Sequence, residues 1–246
     1  MGECPQGVGN IEEIRLYPLG DAAVVVNFGT RIDMETHRKV GAFASLLEKH
    51  PFPGMVEYVP AFTTVTVYYD VFRTYRHCRP VSPYAAVCGY LQQLLRNVGD
   101  KAGAEATIVE IPVCYGEEFG PDLEEVARFT GLSAERVIEI HSGADYVVYM
   151  IGFAPGFPYL GGLPEEIAAP RRATPRLRIP AGSVGIAGRQ TGIYPLATPG
   201  GWQLIGRTPV RLFHPGKNPP TLLKAGDIVK FVPISRSEYE RWKQKE

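Results

Sequence analysis

Asp145-Tyr146-Val147-Val148-Tyr149-Met150-Ile151 runs straight into Gly152-Phe153-Ala154-Pro155-Gly156-Phe157-Pro158-Tyr159-Leu160-Gly161-Gly162-Leu163-Pro164, and here the sequence changes character. The first seven residues read as an apolar strand. After them, short β-branched runs are broken every few residues by Gly or Pro, and no helical period returns before Glu238–Lys243. Helices need longer uninterrupted periodicity than this, so the pattern predicts a barrel or sandwich of short strands with elaborate loops.

Upstream of this stretch the texture differs. Thr107–Val113 reads as a strand, and two short helices follow, Pro121–Phe129 and Ser133–His141, with Thr130-Gly131-Leu132 as stop and restart between them. The first hundred residues alternate strand and helix signals. Glu12–Tyr17 and Ala22–Phe28 flank a Gly20-Asp21 turn, and Asp33 caps a helix to about Lys49 with Val40, Phe43, Leu46 and Leu47 on one face. Met55–Val59 and Thr64–Tyr69 are rich in strand formers, and Ser82-Pro83 opens a helix whose stripe is Tyr84, Val87, Leu91, Leu94, Leu95 and Val98. The fold class expected is an α+β N-terminal domain, ferredoxin-like, with two helices on a mostly antiparallel sheet, followed by a mainly-β domain. The polar stretch Gly99–Glu105 is the expected linker, placing the domains at 11–104 and 105–246.

Composition narrows the function classes. At 246 residues, 45% hydrophobic and 21% charged, the chain has enough apolar material for two cores. Its 26 basic and 26 acidic side chains cancel, which argues against nucleic acid as a partner, because neutralising phosphates needs surplus Lys and Arg. No run reaches the roughly 20 apolar residues of a membrane span, and Met1–Asn10 carries no signal-peptide pattern. The four cysteines form no C-x-x-C and the five histidines no close pair, so no metal site and a reduced, cytoplasmic setting are expected.

Three constellations bear on chemistry. In Gly152–Pro164, Pro restricts the backbone while Gly permits conformations closed to other residues. Such a loop presents amide N–H groups to a ligand, or it is a corner whose aromatics plug a barrel end. The arginines Arg171, Arg172, Arg176, Arg178 and Arg189 suit planar recognition of carboxylate or phosphate, or they are solvated charges. The third constellation is Pro180–Pro195 with Pro199-Gly200-Gly201-Trp202-Gln203; it gathers glycines around Ser183, Gln190 and Thr191, yet G-x-x-x-x-G-K-[ST] and G-x-G-x-x-G are both absent. Glu117, Glu118 and Asp122 precede a helix and serve either as general bases or as complements to its N-terminus.

Several longer runs carry a resemblance: Ile111–Gly116 with Phe119–Leu123, Gly152–Leu163, Pro170-Arg171-Arg172, Pro175-Arg176, Pro180–Ser183, Gln190–Pro195 and Pro199–Leu204, with Leu19-Gly20-Asp21 and Val59-Pro60-Ala61 near the start. Together they resemble the family of the B-type subunit of bacterial 5-oxoprolinase, which also holds the Kip-type kinase inhibitors and the allophanate hydrolase subunit 1 proteins. The resemblance implies a cyclophilin-like barrel in the C-terminal half and a role in ATP-dependent opening of 5-oxoproline to glutamate. It implies as partners an allophanate hydrolase subunit 2-type chain (the C-type subunit of 5-oxoprolinase) and the A-type subunit, with ATP as cofactor; the missing phosphate motifs suggest that the nucleotide is held elsewhere or at an interface between subunits. The same family admits two other roles: inhibiting a sensor histidine kinase, or serving as a carboxyltransferase-type component in urea metabolism. The expected substrate-binding residues are Phe153, Pro155, Gly156, Phe157, Tyr159, Arg172, Arg176, Gln190, Thr191, Tyr194, Gly200, Gly201 and Trp202, with Phe153–Leu160, Arg172, Gln190 and Thr191 lining one cleft. The catalytic residues are not assigned. A protein-interaction role would instead expose Phe153, Phe157, Tyr159, Tyr194 and Trp202 as an apolar patch.

Overall fold

Capping chemistry sets the helices of the N-terminal half. Asp33 accepts the N–H of Thr36 at 2.9 Å and starts α1 (Met34–Lys49); Ser82 accepts the N–H of Ala85 and starts α3 (Pro83–Leu95), with Pro83 in its first turn. Residues 14–78, 81–98 and 106–244 are described by the computed structural model, so the expected linker Gly99–Glu105 lies outside the described residues. The chain divides into two compact units, Met1–Glu105 and Ala106–Glu246.

In the first unit, β1 (Arg15–Pro18) and β2 (Ala23–Asn27) form a hairpin, and β3 (Met55–Pro60) and β4 (Thr64–Tyr69) form another. The sheet order is β1-β2-β4-β3 with every neighbour antiparallel, so β2 and β3 run parallel on either side of β4, joined through α1. Val24, Val26, Val65 and Val67 on one sheet face pack with Phe43 and Leu47 of α1 and Val87, Cys88 and Leu91 of α3. The two helices expected are present, and a further one, α2 (Val71–Cys78), follows β4 directly. Asp70 caps it, its Oδ1 accepting the N–H of Arg73 at 2.8 Å.

In the second unit, β5 (Ile108–Tyr115) leads into α4 (Leu123–Thr130) and α5 (Ala134–Gly143). Gly131, left-handed at φ 72°, ends α4, and Ser133 caps α5. The expected helix from Pro121 begins two residues later, because Gly116–Gly120 is a tight turn pressed against the barrel: a Cβ on Gly120 would lie 2.0 Å from the Ile205 carbonyl. Then come β6 (Asp145–Ile151), β7 (Pro158–Gly161), β8 (Arg176–Ile179), β9 (Ser183–Ala187), β10 (Gln190–Ile193), β11 (Thr198–Gly200), β12 (Gln203–Arg207), β13 (Ile228–Pro233) and α6 (Arg236–Lys243). Seven of these strands close a barrel in the order β10-β7-β6-β13-β5-β12-β9, while β8 and β11 form a separate two-stranded ribbon. Closure removes both sheet edges. Strand alternation sends Ile111, Val113, Val148, Leu160, Val184, Ile186, Ile193, Ile205, Val229 and Phe231 into one core, which also takes Val126 and Val137 of α4 and α5.

Candidate functional site

The loop between β6 and β7 is built from two nested turns. The N–H of Ala154 bonds the Gly152 carbonyl at 2.8 Å around Phe153, which sits at φ 68°. That is a γ-turn of the rarer, strained hand, costing about 1–3 kcal/mol in a residue with a side chain. Next, the N–H of Phe157 bonds the Ala154 carbonyl at 2.9 Å across Pro155 and Gly156, with Gly156 at φ 80°, and the N–H of Gly152 closes the loop on the Phe157 carbonyl at 3.0 Å. Pro then Gly at the centre of this second turn is the type II signature. Phe153 is thereby held 66% exposed, edge-on to the buried Phe157 ring at 5.5 Å.

Beneath the loop, β9 and β10 turn a bare surface outward. Register pairs Gly192 with Gly185, and Trp202 lies over both: a Cβ on Gly192 would be 3.0 Å from Trp202 Cζ3, and one on Gly185 would be 3.2 Å from Trp202 Cβ. Phe157, Tyr194 and Trp202 meet edge to face at 5.2–6.3 Å around this surface, and Ile179, Ala187, Leu204 and Tyr159 complete the cluster. Burial pushes the Tyr194 phenol up to about 12, against the opposing pull of the Trp202 N–H and of Arg171 and Arg176 nearby. The exposed aromatic patch that a protein-interaction role would need is therefore not what these five residues form. Phe157, Tyr194 and Trp202 are buried, because the two strand glycines let them lie flat on the barrel, and Phe153 alone of the five stands well exposed.

The strap from Pro170 to Arg176 is tied across this cluster. Arg172 donates its backbone N–H to Gly201 at 2.7 Å, and Gln203 Nε2 donates to the Pro170 carbonyl at 3.1 Å. Two of the three strap arginines, Arg172 and Arg176, converge on Asp122, whose side chain is only 4% exposed. Arg176 grips it with two bonds, Nη1 to Oδ2 at 2.8 Å and Nη2 to Oδ1 at 2.7 Å. Arg172 adds Nη1 to Oδ1 at 2.9 Å, and the Leu204 N–H adds a bond to Oδ2 at 2.7 Å. Asp122 holds the N-cap position of α4 yet makes no capping bond. It stands at the helix N-terminus, as one reading of the sequence expected, but its carboxylate is spent on the guanidinium groups and the Leu204 N–H rather than on a helix N–H. Glu118 pairs with Arg236 at 2.8 Å on the surface.

Gln190 and Thr191 part company. Gln190 pairs with Ala187, a member of the aromatic cluster, and so shares its face of the hairpin. Thr191 faces the barrel interior, fully buried, because alternate residues of a strand point to opposite sides. Placing Thr191 and Leu160 in the same cleft as Phe153 is thus corrected. The Thr191 hydroxyl donates to the Gly185 carbonyl at 3.0 Å and accepts from His141 Nε2 at 3.0 Å, so Nδ1 accepts from the Tyr115 hydroxyl at 2.8 Å. The expected residues that the structure gathers are Phe153, Pro155, Gly156, Phe157, Tyr159, Arg172, Arg176, Tyr194, Gly200, Gly201 and Trp202, with Gln190 along the same face. Gly200 is forced, since a Cβ there would lie 2.5 Å from the Tyr194 hydroxyl. Asp122, Gln203 and His141 were not singled out as binding residues. Their role depends on partners 26 to 82 positions away, and no local signal marks that. Among the described residues no group of three or more His, Cys, Asp or Glu is placed to hold a metal ion, and no helix is long and apolar enough to cross a membrane.

A closed barrel carrying this glycine-backed aromatic face defines a class. Residues 14–223 match the carboxyltransferase domain, subdomain C and D, and the chain belongs to that family. More narrowly, it is similar to the B-type subunit of the 5-oxoprolinase of Bacillus subtilis (strain 168), 55% identical over 228 residues that cover 92% of this chain and 95% of that protein. Among solved structures it is similar to TTHA0988, at a TM-score of 0.74 and 38% identity over 87% of this chain; the chain spans 40% of that longer one. The Kluyveromyces lactis urea carboxylase shares the fold at a TM-score of 0.69 and 20% identity, over 93% of this chain and 22% of that enzyme.

Proposed function

We propose that this chain is the B-type subunit of an ATP-dependent 5-oxoprolinase, acting in the cytoplasm to open the 5-oxoproline lactam to glutamate. The observation that carries the reading is 55% identity to a 5-oxoprolinase B-type subunit, running almost end to end through both chains. The partners proposed are an allophanate hydrolase subunit 2-type chain, which is the C-type subunit, and the A-type subunit. In this reading the second unit is a cyclophilin-like barrel from about residue 105. The first is a ferredoxin-like fold whose fourth strand position is filled by β1, ahead of the split βαβ.

The substrate face is the one bounded by the Phe153–Tyr159 loop, Arg172, Gln190 and Gly200–Trp202. Lactam opening places negative charge on the carbonyl oxygen, and backbone N–H groups held in a rigid loop stabilise such charge without reorganising. The chain carries neither phosphate-loop motif, which supports ATP bound at a surface shared with a partner. The test is co-expression with the two partner chains and an assay of ATP hydrolysis that depends on 5-oxoproline. The assembled complex is expected to turn over and this chain alone to be inactive; steady turnover by the isolated chain, or none by the complex, rejects the reading.

A further inference from the structure

We infer that Arg172 is the residue that grips the substrate carboxylate, and that Asp122 is the positioning residue that presents it. This rests on the 5-oxoprolinase reading and divides labour between two arginines that look equivalent in sequence. Arg176 commits both of its terminal nitrogens to Asp122 and is a structural clamp. Arg172 commits only Nη1. Its other edge, formed by Nε and Nη2, has no partner among the described residues, and Nε–H is buried without an acceptor. A guanidinium edge of two parallel N–H groups is the shape that takes a carboxylate in bidentate fashion. Nε–H itself has no surface open to a ligand, so Nη2 is the group that meets a carboxylate oxygen first, and the unpaired Nε–H is a cost that a bidentate grip relieves once the guanidinium shifts to offer it.

Charge points the same way. Two guanidinium groups face one carboxylate, so a single positive charge remains uncompensated, and Arg172 carries the more exposed of the two side chains, 35% against 25%. The backbone of Arg172 is pinned to Gly201 and its Nη1 to Asp122, which fixes the direction of the unpaired edge. Gly201 adjoins this stretch of the strap, with Pro175 and the Arg172 carbonyl within 3.8 Å of where its Cβ would stand. The ligand that matches is a small ring bearing one carboxylate; 5-oxoproline is such a molecule.

The test uses the assembled complex and two lactams, 5-oxoproline and pyrrolidin-2-one, which lacks the carboxylate. Arg172→Gln should raise KM for 5-oxoproline about ten- to a hundredfold, shrink the preference for 5-oxoproline over pyrrolidin-2-one by the same factor, and leave KM for ATP in place. Arg172→Lys should recover only part of the loss, since an ammonium keeps the charge without the planar edge. Asp122→Asn, if it folds, should lower the same preference. An unchanged KM for 5-oxoproline in Arg172→Gln overturns the inference while leaving the 5-oxoprolinase reading intact. A rise in KM for ATP instead would show that the edge meets phosphate, which also overturns it. Equal losses on both lactams would show a structural role and do the same. A wild-type complex that ignores 5-oxoproline removes the reading and the inference together.

Discussion

His141 is held neutral by its surroundings. It is fully buried, stacked on Phe231 at 4.6 Å and bonded through both ring nitrogens, and burial lowers its pKa to about 3 from the ordinary 6.5. Between those values the unfolded chain binds a proton that the native state refuses. The stability this site contributes is therefore full above about pH 6.5 and falls as pH drops toward 3, by at most about 1.4 kcal/mol per unit. Burial pushes His37 in the same direction, so the wild-type slope carries both residues and the difference from His141→Gln isolates one. Melting temperatures at pH 7, 6 and 5 should fall less steeply for His141→Gln than for the wild type; parallel slopes would mean that His141 does not couple to folding. None of this was legible in the sequence, where His141 is the last residue of an expected helix and nothing marks Tyr115 or Thr191 as its partners. Asp122 was hidden for the same reason, its arginines being 50 and 54 positions away.

At the scale of elements, local chemistry was readable and non-local placement was not. Asp33, Ser82, Ser133 and Gly131 each mark a helix end by what their own backbone neighbourhood requires, and each does so in the structure. α2 escaped because it is eight residues long, rich in aromatics and joined to β4 with only Asp70 between them. The Gly-Pro loop announced its rigidity through composition, but which way its rings point depends on glycines in two other strands. Gly192 is the sharpest of these. An added methyl would meet Trp202 and the Pro158 carbonyl at 3.0 Å and Phe157 at 3.2 Å, with backbone on one side and packed rings on the other. Gly192→Ala should destabilise the chain by about 1–3 kcal/mol and shift the emission of Trp202, read against a Trp242→Phe background. An unchanged midpoint and spectrum would show that the aromatic face is soft rather than seated.

For the molecule as a whole, each unit has its own enclosed core, and the barrel core draws on residues from Val109 onward. A fragment comprising residues 106–246 should therefore fold alone into a β-rich domain with cooperative thermal unfolding. Circular dichroism and dispersed amide resonances would check this, and an unfolded fragment would place the boundary elsewhere. The sequence left barrel and sandwich open, because alternation and turn spacing are the same in both. What decides between them is β13, which pairs on one side with β6 and on the other with β5. It lies beyond the stretch matched by the family, which ends at residue 223.

The pairing of β13 with β5 also sets an order of events on the ribosome. Ile228 lies beside Ile108 but is synthesised 120 residues later. At roughly 5–20 residues per second, that leaves β5 waiting on the order of ten seconds for the neighbour that seals it. During that interval the N-terminal unit is already complete, while β5 and β6 each offer an unpaired edge to whatever strand passes. Nascent chains are thus open to mispairing from the synthesis of β5 until β13 emerges. A message cut short before codon 228 yields a protein whose first half is finished and whose barrel never shuts.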